Sequence, residues 1–72
     1  MTVQLTNEEK VSIITQHIRN LEFNKYNLNV SLIEEQALAI PNQATIDSVN
    51  LQISEANTKI TALNAEIASL QA

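Results

Sequence analysis

The sequence predicts an all-α fold, a two-helix antiparallel coiled-coil hairpin that self-associates into a helical bundle. Apolar residues on both sides of Pro41 recur at steps of three and four, which is the spacing of a coiled-coil seam. The 72-residue chain has no Gly and one Pro, so it has little material for strands or long loops. We therefore expect one α-hairpin domain over residues 1–72, with helix one at about 7–39, a turn at 40–42 and helix two at about 43–72.

Helix one begins with a capping box after a short extended lead, Met1–Leu5. The hydroxyl of Thr6 can accept the free amide of Glu9, and the carboxylate of Glu9 can reach back to the amide of Thr6. Glu8 and Glu9 also lie at the positive end of the helix dipole. The box directly precedes a heptad run, which favours a helix start at this point.

Pro41 ends helix one, because its ring pushes Ile40 out of the α region and it has no N–H to donate to a helix. Asn42 can then cap helix two, with Asp47 in the first turn of that helix. Ile40–Asn42 is therefore predicted to be a tight turn between two long helices.

The apolar residues of the two helices pair in one antiparallel register. In every predicted layer the two residue numbers add to 81, as for Leu28 with Ile53 and Leu21 with Ile60. We expect these four side chains to be almost fully buried. The predicted hairpin seam consists of Ile14, Ile18, Leu21, Leu28 and Leu32 in helix one and Ile46, Val49, Ile53, Ile60, Leu63 and Ile67 in helix two, with Val11 and Leu70 in the outermost layer.

Two seam positions are polar. Lys25 is opposite Ala56, the smallest residue in the seam of helix two, so its stem can cross the gap while its ammonium reaches solvent or Glu22. Glu35 is next to the turn, where its carboxylate can accept free amides at the start of helix two. Both are interpreted as structural polar layers that define the register, with a bound anion or an acidic partner residue as the functional alternative for Lys25.

A second apolar stripe on helix one is not explained by the hairpin. It also steps by three and four, it contains both aromatic residues of the chain, and one partner helix cannot cover two faces. Its members are Phe23, Tyr26, Val30, Ile33, Ala37 and Ile40. An apolar stripe of this size indicates an interface, either the core of a homo-oligomer or a site for a different protein.

Composition limits the chain to one small core, and a core this small seldom supplies more than about 3 to 5 kcal/mol of net stability. Small chains usually gain further stability from disulfides, a bound metal or a partner chain. This chain has no Cys and a single His, so oligomerisation is the remaining source. A net charge of −4 argues against a nucleic-acid partner. No basic leader or bilayer-length apolar run is present, so we expect no membrane association and a soluble intracellular protein.

No residue pattern predicts an enzyme. His17, the single imidazole, has no carboxylate or nucleophile spaced to join it on one helical face, and it is interpreted as a flank residue rather than a catalytic one. No His or Cys pair indicates a metal, and no glycine-rich loop indicates a phosphate site. We expect no cofactor and no metal.

The pattern NLEFNKYNL at Asn20–Leu28, followed by Glu34-Glu35 and Pro41-Asn42, resembles small uncharacterised helical proteins of tailed phages that infect marine cyanobacteria. The resemblance covers most of the chain and implies a viral origin, with a place in the host cytoplasm or the virion. It brings no assigned activity and no functional residue.

These observations predict a non-enzymatic structural or protein-interaction module that binds itself, as a dimer or a larger assembly, in a phage accessory or virion protein. The alternative is a host-takeover factor that binds a host protein through the second stripe or the turn.

Overall fold

A computed structural model describes residues 4–72 and contains two helices, α1 (Asn7–Gln36) and α2 (Gln43–Gln71). Residues 4–72 contain no strand, so the all-helical prediction is confirmed. Within the predicted lead, Met1–Val3 lie outside the described residues, and Gln4 and Leu5 precede α1 without regular secondary structure.

The predicted capping box is present at the start of α1. The Thr6 hydroxyl accepts the Glu9 N–H at 3.1 Å, and the Glu9 carboxylate accepts the Thr6 N–H at 2.9 Å. These two bonds satisfy backbone donors that no preceding helical turn could serve. The pKa of Glu9 is held below its ordinary value by these contacts. The hydrogen bond from the Thr6 backbone is the larger cause, and the bond with the Thr6 side chain is the smaller.

The first helix ends at Gln36, three residues before the predicted end at Ala39. The Leu38 N–H bonds to the carbonyl of Glu35 at 3.2 Å, a contact that tightens the last turn before the chain leaves the helix. A turn of three residues at 40–42 is therefore replaced by a six-residue connection, Ala37–Asn42. Helix axes pack about 8 to 10 Å apart, and the longer connection gives the chain room to cross that distance and reverse.

Asn42 caps α2 as predicted, whereas Asp47 lies beyond the first turn, which contains no acidic residue. Its side-chain oxygen accepts the backbone N–H groups of Ala44 at 3.0 Å and Thr45 at 3.3 Å. Asn42 itself is extended, with φ −85° and ψ 110°, which is the usual backbone of an N-cap. Pro41 was expected to end helix one, but α1 ends before it at Gln36, so the proline lies within the connection and directly precedes the cap of α2.

The two helices pack side by side and run in opposite directions. At one end of the hairpin the side chain of Asn7 donates to the carbonyl of Leu70 at 3.2 Å. Near the middle, Lys25 Nζ donates to Asn57 Oδ1 at 3.0 Å. Pairing the start of α1 with the end of α2 gives a rod with extents of 61 × 18 × 17 Å.

The contact between the helices follows the predicted heptads but is thin. Val49 and Ala56, 8% and 7% exposed, are the buried apolar residues among those described. The other seam residues are half-buried: Val11, Ile14, Ile18, Leu21, Leu28 and Leu32 in α1, and Ile46, Ile53, Ile60, Leu63, Ile67 and Leu70 in α2.

The expectation that Leu21, Leu28, Ile53 and Ile60 are almost fully buried was therefore wrong for a single chain. Each of these side chains is covered by one facing helix and remains open along the flanks of the pair. A two-helix hairpin has no third element to close those flanks.

Candidate interaction surface

Large apolar side chains of α1 and the connection are exposed. Phe23 and Tyr26 are each 70% exposed, Ile33 is 65% exposed and Ile40 is 89% exposed. Val30 is 37% exposed, and Ala37 is also exposed. These six residues, the predicted second stripe, are called the outer stripe below. α2 leaves them open to solvent.

The outer stripe is on the far side of α1 from α2. At about 100° of rotation per residue, its midline is roughly 150° from the midline of the seam. From Phe23 to the helix end at Gln36 it runs for about 20 Å. The equivalent outward positions nearer the N-terminus hold the polar residues Glu9, Ser12, Gln16 and Arg19. The apolar surface is thus confined to the half of α1 next to the connection.

The early end of α1 divides the outer stripe. Phe23, Tyr26, Val30 and Ile33 are on the helix, whereas Ala37 is its C-cap and Ile40 lies in the connection. Leu38, also in the connection, is 53% exposed and adds apolar surface beside Ile40. Sequence periodicity missed Leu38, because heptad counting assumes that the helix continues past Gln36.

Lys25 is half-buried in the seam, as its heptad position predicts, and its side chain reaches Asn57, the neighbour of Ala56 in α2. Its ammonium is 3.3 Å from a carboxylate oxygen of Glu22 and 3.0 Å from Asn57 Oδ1, and its side chain is 27% exposed. The side chain therefore extends across to α2, and its charge reaches the exposed flank. Glu22 was predicted as a partner, whereas the hydrogen bond to Asn57 was not.

Glu35 also has the role predicted for a polar seam residue next to the turn. Its carboxylate accepts the backbone N–H of Asn42 at 2.8 Å. Asn42 is the N-cap of α2, so the carboxylate orients the residue that caps the second helix. Lys25 and Glu35 are thus both satisfied by contacts within the hairpin.

His17 is exposed beside a shallow groove between the helices. The groove is also lined by Asn24 of α1 and by Lys59 and Ala62 of α2. No carboxylate or hydroxyl lines it, so the groove gives His17 neither an orienting acid nor a hydroxyl nucleophile. Among residues 4–72, no cluster of His, Asp and Glu could hold a metal ion.

Other exposed apolar residues do not form a second stripe. Ile13 is 47% exposed on the polar half of α1, and Leu51 is 61% exposed on the outward face of α2. The outward positions that follow Leu51 on α2 are small, with Ser54, Thr58 and Ala65 among them. Single exposed apolar side chains of this kind are ordinary on protein surfaces.

No helix within residues 4–72 combines the length and the apolar character required to cross a bilayer. Comparison of the chain with protein-family models, with curated proteins and with solved structures finds no significant match.

Proposed function

We propose that this chain is a non-enzymatic structural module that binds copies of itself through the outer stripe, forming a bundle of four or more helices. The observation that supports the proposal is the 70% exposure of both Phe23 and Tyr26, next to exposed Ile33 on the same face. The resemblance of the sequence to small phage proteins supports an accessory or virion role for the assembly. No chemistry is required of any side chain in such a role.

The size of the outer stripe is sufficient for association. Covering it would remove roughly 300 to 400 Å² of apolar surface per chain, on the order of 8 to 10 kcal/mol at about 25 cal/mol per Å². Two chains would together gain about twice that amount. Association costs an estimated 4 to 15 kcal/mol in lost freedom, so a net favourable dimer remains.

The thin contact within one hairpin also favours assembly. No side chain described is fully enclosed, and only Val49 and Ala56 among the described residues are largely shielded from solvent. Helices of this length derive most of their stability from packing rather than from intrinsic propensity. A second hairpin on the outer stripe would hold α1 from two sides and so stabilise the helix that carries most of the exposed apolar surface.

A second candidate function is binding of a different protein, such as a host protein. It is favoured by the apolar residues of the connection, where Leu38 and Ile40 are 53% and 89% exposed. These residues lie at the tip of the rod, and a tip can enter a pocket on a partner without a second copy of the hairpin.

The mass of the isolated chain in solution distinguishes the two functions. Sedimentation equilibrium at tens of micromolar should give a dimer or a larger assembly if the outer stripe binds itself. A monomer under those conditions would contradict self-association and would favour the second candidate.

A further inference from the structure

We infer that the outer stripes of two chains pair antiparallel about a twofold axis near Val30 and Ile33. This inference rests on the proposed self-association and specifies its geometry. In this arrangement the outer stripe of one chain packs against the outer stripe of a second copy, and the two α1 helices run in opposite directions.

The outer stripe is self-complementary when it is reversed. Its members alternate between two heptad positions, and in an antiparallel pair each position faces the other. Residue numbers in facing pairs then add to 63, which places Val30 against the second chain's Ile33 and Tyr26 against its Ala37. The bulky tyrosine therefore faces an alanine. Phe23 lies toward the second chain's connection, which carries the exposed Leu38 and Ile40.

A parallel pair would match each residue with its own copy. Tyr26 would face Tyr26, with two hydroxyl groups in one layer, and Ala37 would face Ala37, with a gap between them. Alternating large and small residues across an interface fill space better than two large or two small ones. Packing therefore favours the antiparallel pair.

Charge supports the same choice. In a parallel pair the polar half of α1 would also face its copy, which would bring Arg19 against Arg19 and Glu9 against Glu9. Like charges facing each other across an interface are unfavourable. In the antiparallel pair these residues extend beyond the end of the second chain's α1 and remain in solvent. Antiparallel α1 helices also have opposed dipoles.

The area of such a pair is adequate. If each stripe contributes roughly 300 to 400 Å² of apolar surface and apolar atoms make up about 60% of an interface, the total buried is about 1,000 to 1,300 Å². Stable interfaces begin at about 1,200 Å², so the pair is at the lower edge of that class. An antiparallel pair centred on Val30 and Ile33, with the stripes overlapping along their length, is needed to bury that area.

The test uses two spin-labelled variants, which are straightforward because the chain has no Cys. Ser12→Cys places a label on the outward face of α1 outside the stripe, and Glu34→Cys places one beside the stripe near its centre. In the antiparallel pair the two Ser12 positions are separated by about 60 Å at 1.5 Å per residue, whereas the two Glu34 positions are within about 15 Å. Asn27→Cys is a second central position in case a label at Glu34 weakens association.

The expected result is a short distance at position 34 and a long distance at position 12 by pulsed dipolar spectroscopy. Short distances at both positions would show parallel pairing and overturn this inference, while self-association through the stripe would stand. No dipolar coupling at positions 34, 27 or 12, together with a monomeric mass for the unlabelled chain, would overturn both.

Discussion

The carboxylate of Glu35 accepts a hydrogen bond from the backbone N–H of Asn42 at 2.8 Å. A seam residue near the end of α1 thus fixes the residue that caps α2, and Asn42 in turn accepts the N–H groups of Ala44 and Thr45. The connection is held from both sides, although it contains no glycine.

We expect Glu35→Ala to lower the free energy of unfolding by about 1 kcal/mol, because it removes a hydrogen bond from a charged acceptor. Glu35→Gln is the matched control, since its amide oxygen can still accept the Asn42 N–H, and it should lose less than half of that amount. Urea unfolding at one fixed protein concentration, followed by circular dichroism, measures both. Equal losses in the two variants would show that the carboxylate contributes by its charge and not by this bond.

The hairpin seam predicts that two alanine substitutions in α2 differ in their cost to the free energy of unfolding. Ile53 is half-buried in the seam, whereas Leu51 is 61% exposed on the outward face. Ile53→Ala should cost about 1 to 2 kcal/mol, at or below the lower end of the range for fully buried residues. Leu51→Ala should change the free energy of unfolding by less than about 0.5 kcal/mol. Similar costs for the two variants would contradict the assigned register.

The repeat of the sequence was enough to predict which face of each helix is turned toward the other helix. The heptad positions of both helices match the half-buried and buried positions, since burial on a helix follows the same period as the apolar residues. The caps at Thr6 and Asn42 were also predictable, because each depends on neighbours within three residues.

The end of α1 and the extent of burial were not predictable in this way. Where α1 ends depends on the distance that the connection must cross, and this distance is a property of two packed helices rather than of local residues. Burial of Leu28 and Ile53 was overestimated, because a heptad pattern identifies the direction a side chain faces but not the number of neighbours around it. The hydrogen bond from Lys25 to Asn57 depends on side-chain rotamers, which the pattern does not specify.

Lys25 is predicted to contribute specificity rather than stability. Lys25→Leu should raise the melting temperature, because a charged side chain at a half-buried seam position is replaced by an apolar one. The register of the helices or the number of chains in the assembly should then become less well defined. Sedimentation and thermal melting of the same samples test both effects. Glu22→Gln, which removes the 3.3 Å ion pair alone, is the control and should change stability by less than about 1 kcal/mol. A lower melting temperature for Lys25→Leu with an unchanged assembly would show that the contacts of Lys25 outweigh its burial.

The capping box predicts a pH dependence that can be assigned to one carboxylate. The pKa of Glu9 is lowered in the folded chain by its bonds to Thr6. The ionised carboxylate therefore stabilises the folded chain above the unfolded pKa, and this stabilisation is lost as pH falls through the folded pKa. Glu9→Gln retains an acceptor but does not titrate. The difference in melting temperature between the wild type and Glu9→Gln should therefore be constant near neutral pH and shrink toward zero in acid. A difference that does not vary with pH would contradict a role for the ionised carboxylate.

The outer stripe gives the prediction on which the proposed function depends. Tyr26→Glu combined with Ile33→Glu places two negative charges on a surface that is otherwise apolar, where Tyr26 and Ile33 are 70% and 65% exposed. Both residues point away from α2, so the helices should still form and the chain should become a monomer with a lower melting temperature. Sedimentation measures the mass, and circular dichroism measures the helix content.

A matched control separates this effect from the added charge. Thr61→Glu combined with Ala68→Glu adds the same two charges, at the same spacing of seven residues, to exposed positions on the outward face of α2. It should leave the assembly intact, because that face has no comparable apolar surface to cover. If the control also became monomeric, general charge repulsion would explain the result and the outer stripe would lose its special role. If the stripe variant still assembled, a different surface would have to hold the chains together. Burying two unpaired carboxylates in an apolar interface costs a large desolvation free energy. A contact of about 1,200 Å², at the weak end of stable interfaces, cannot supply that much.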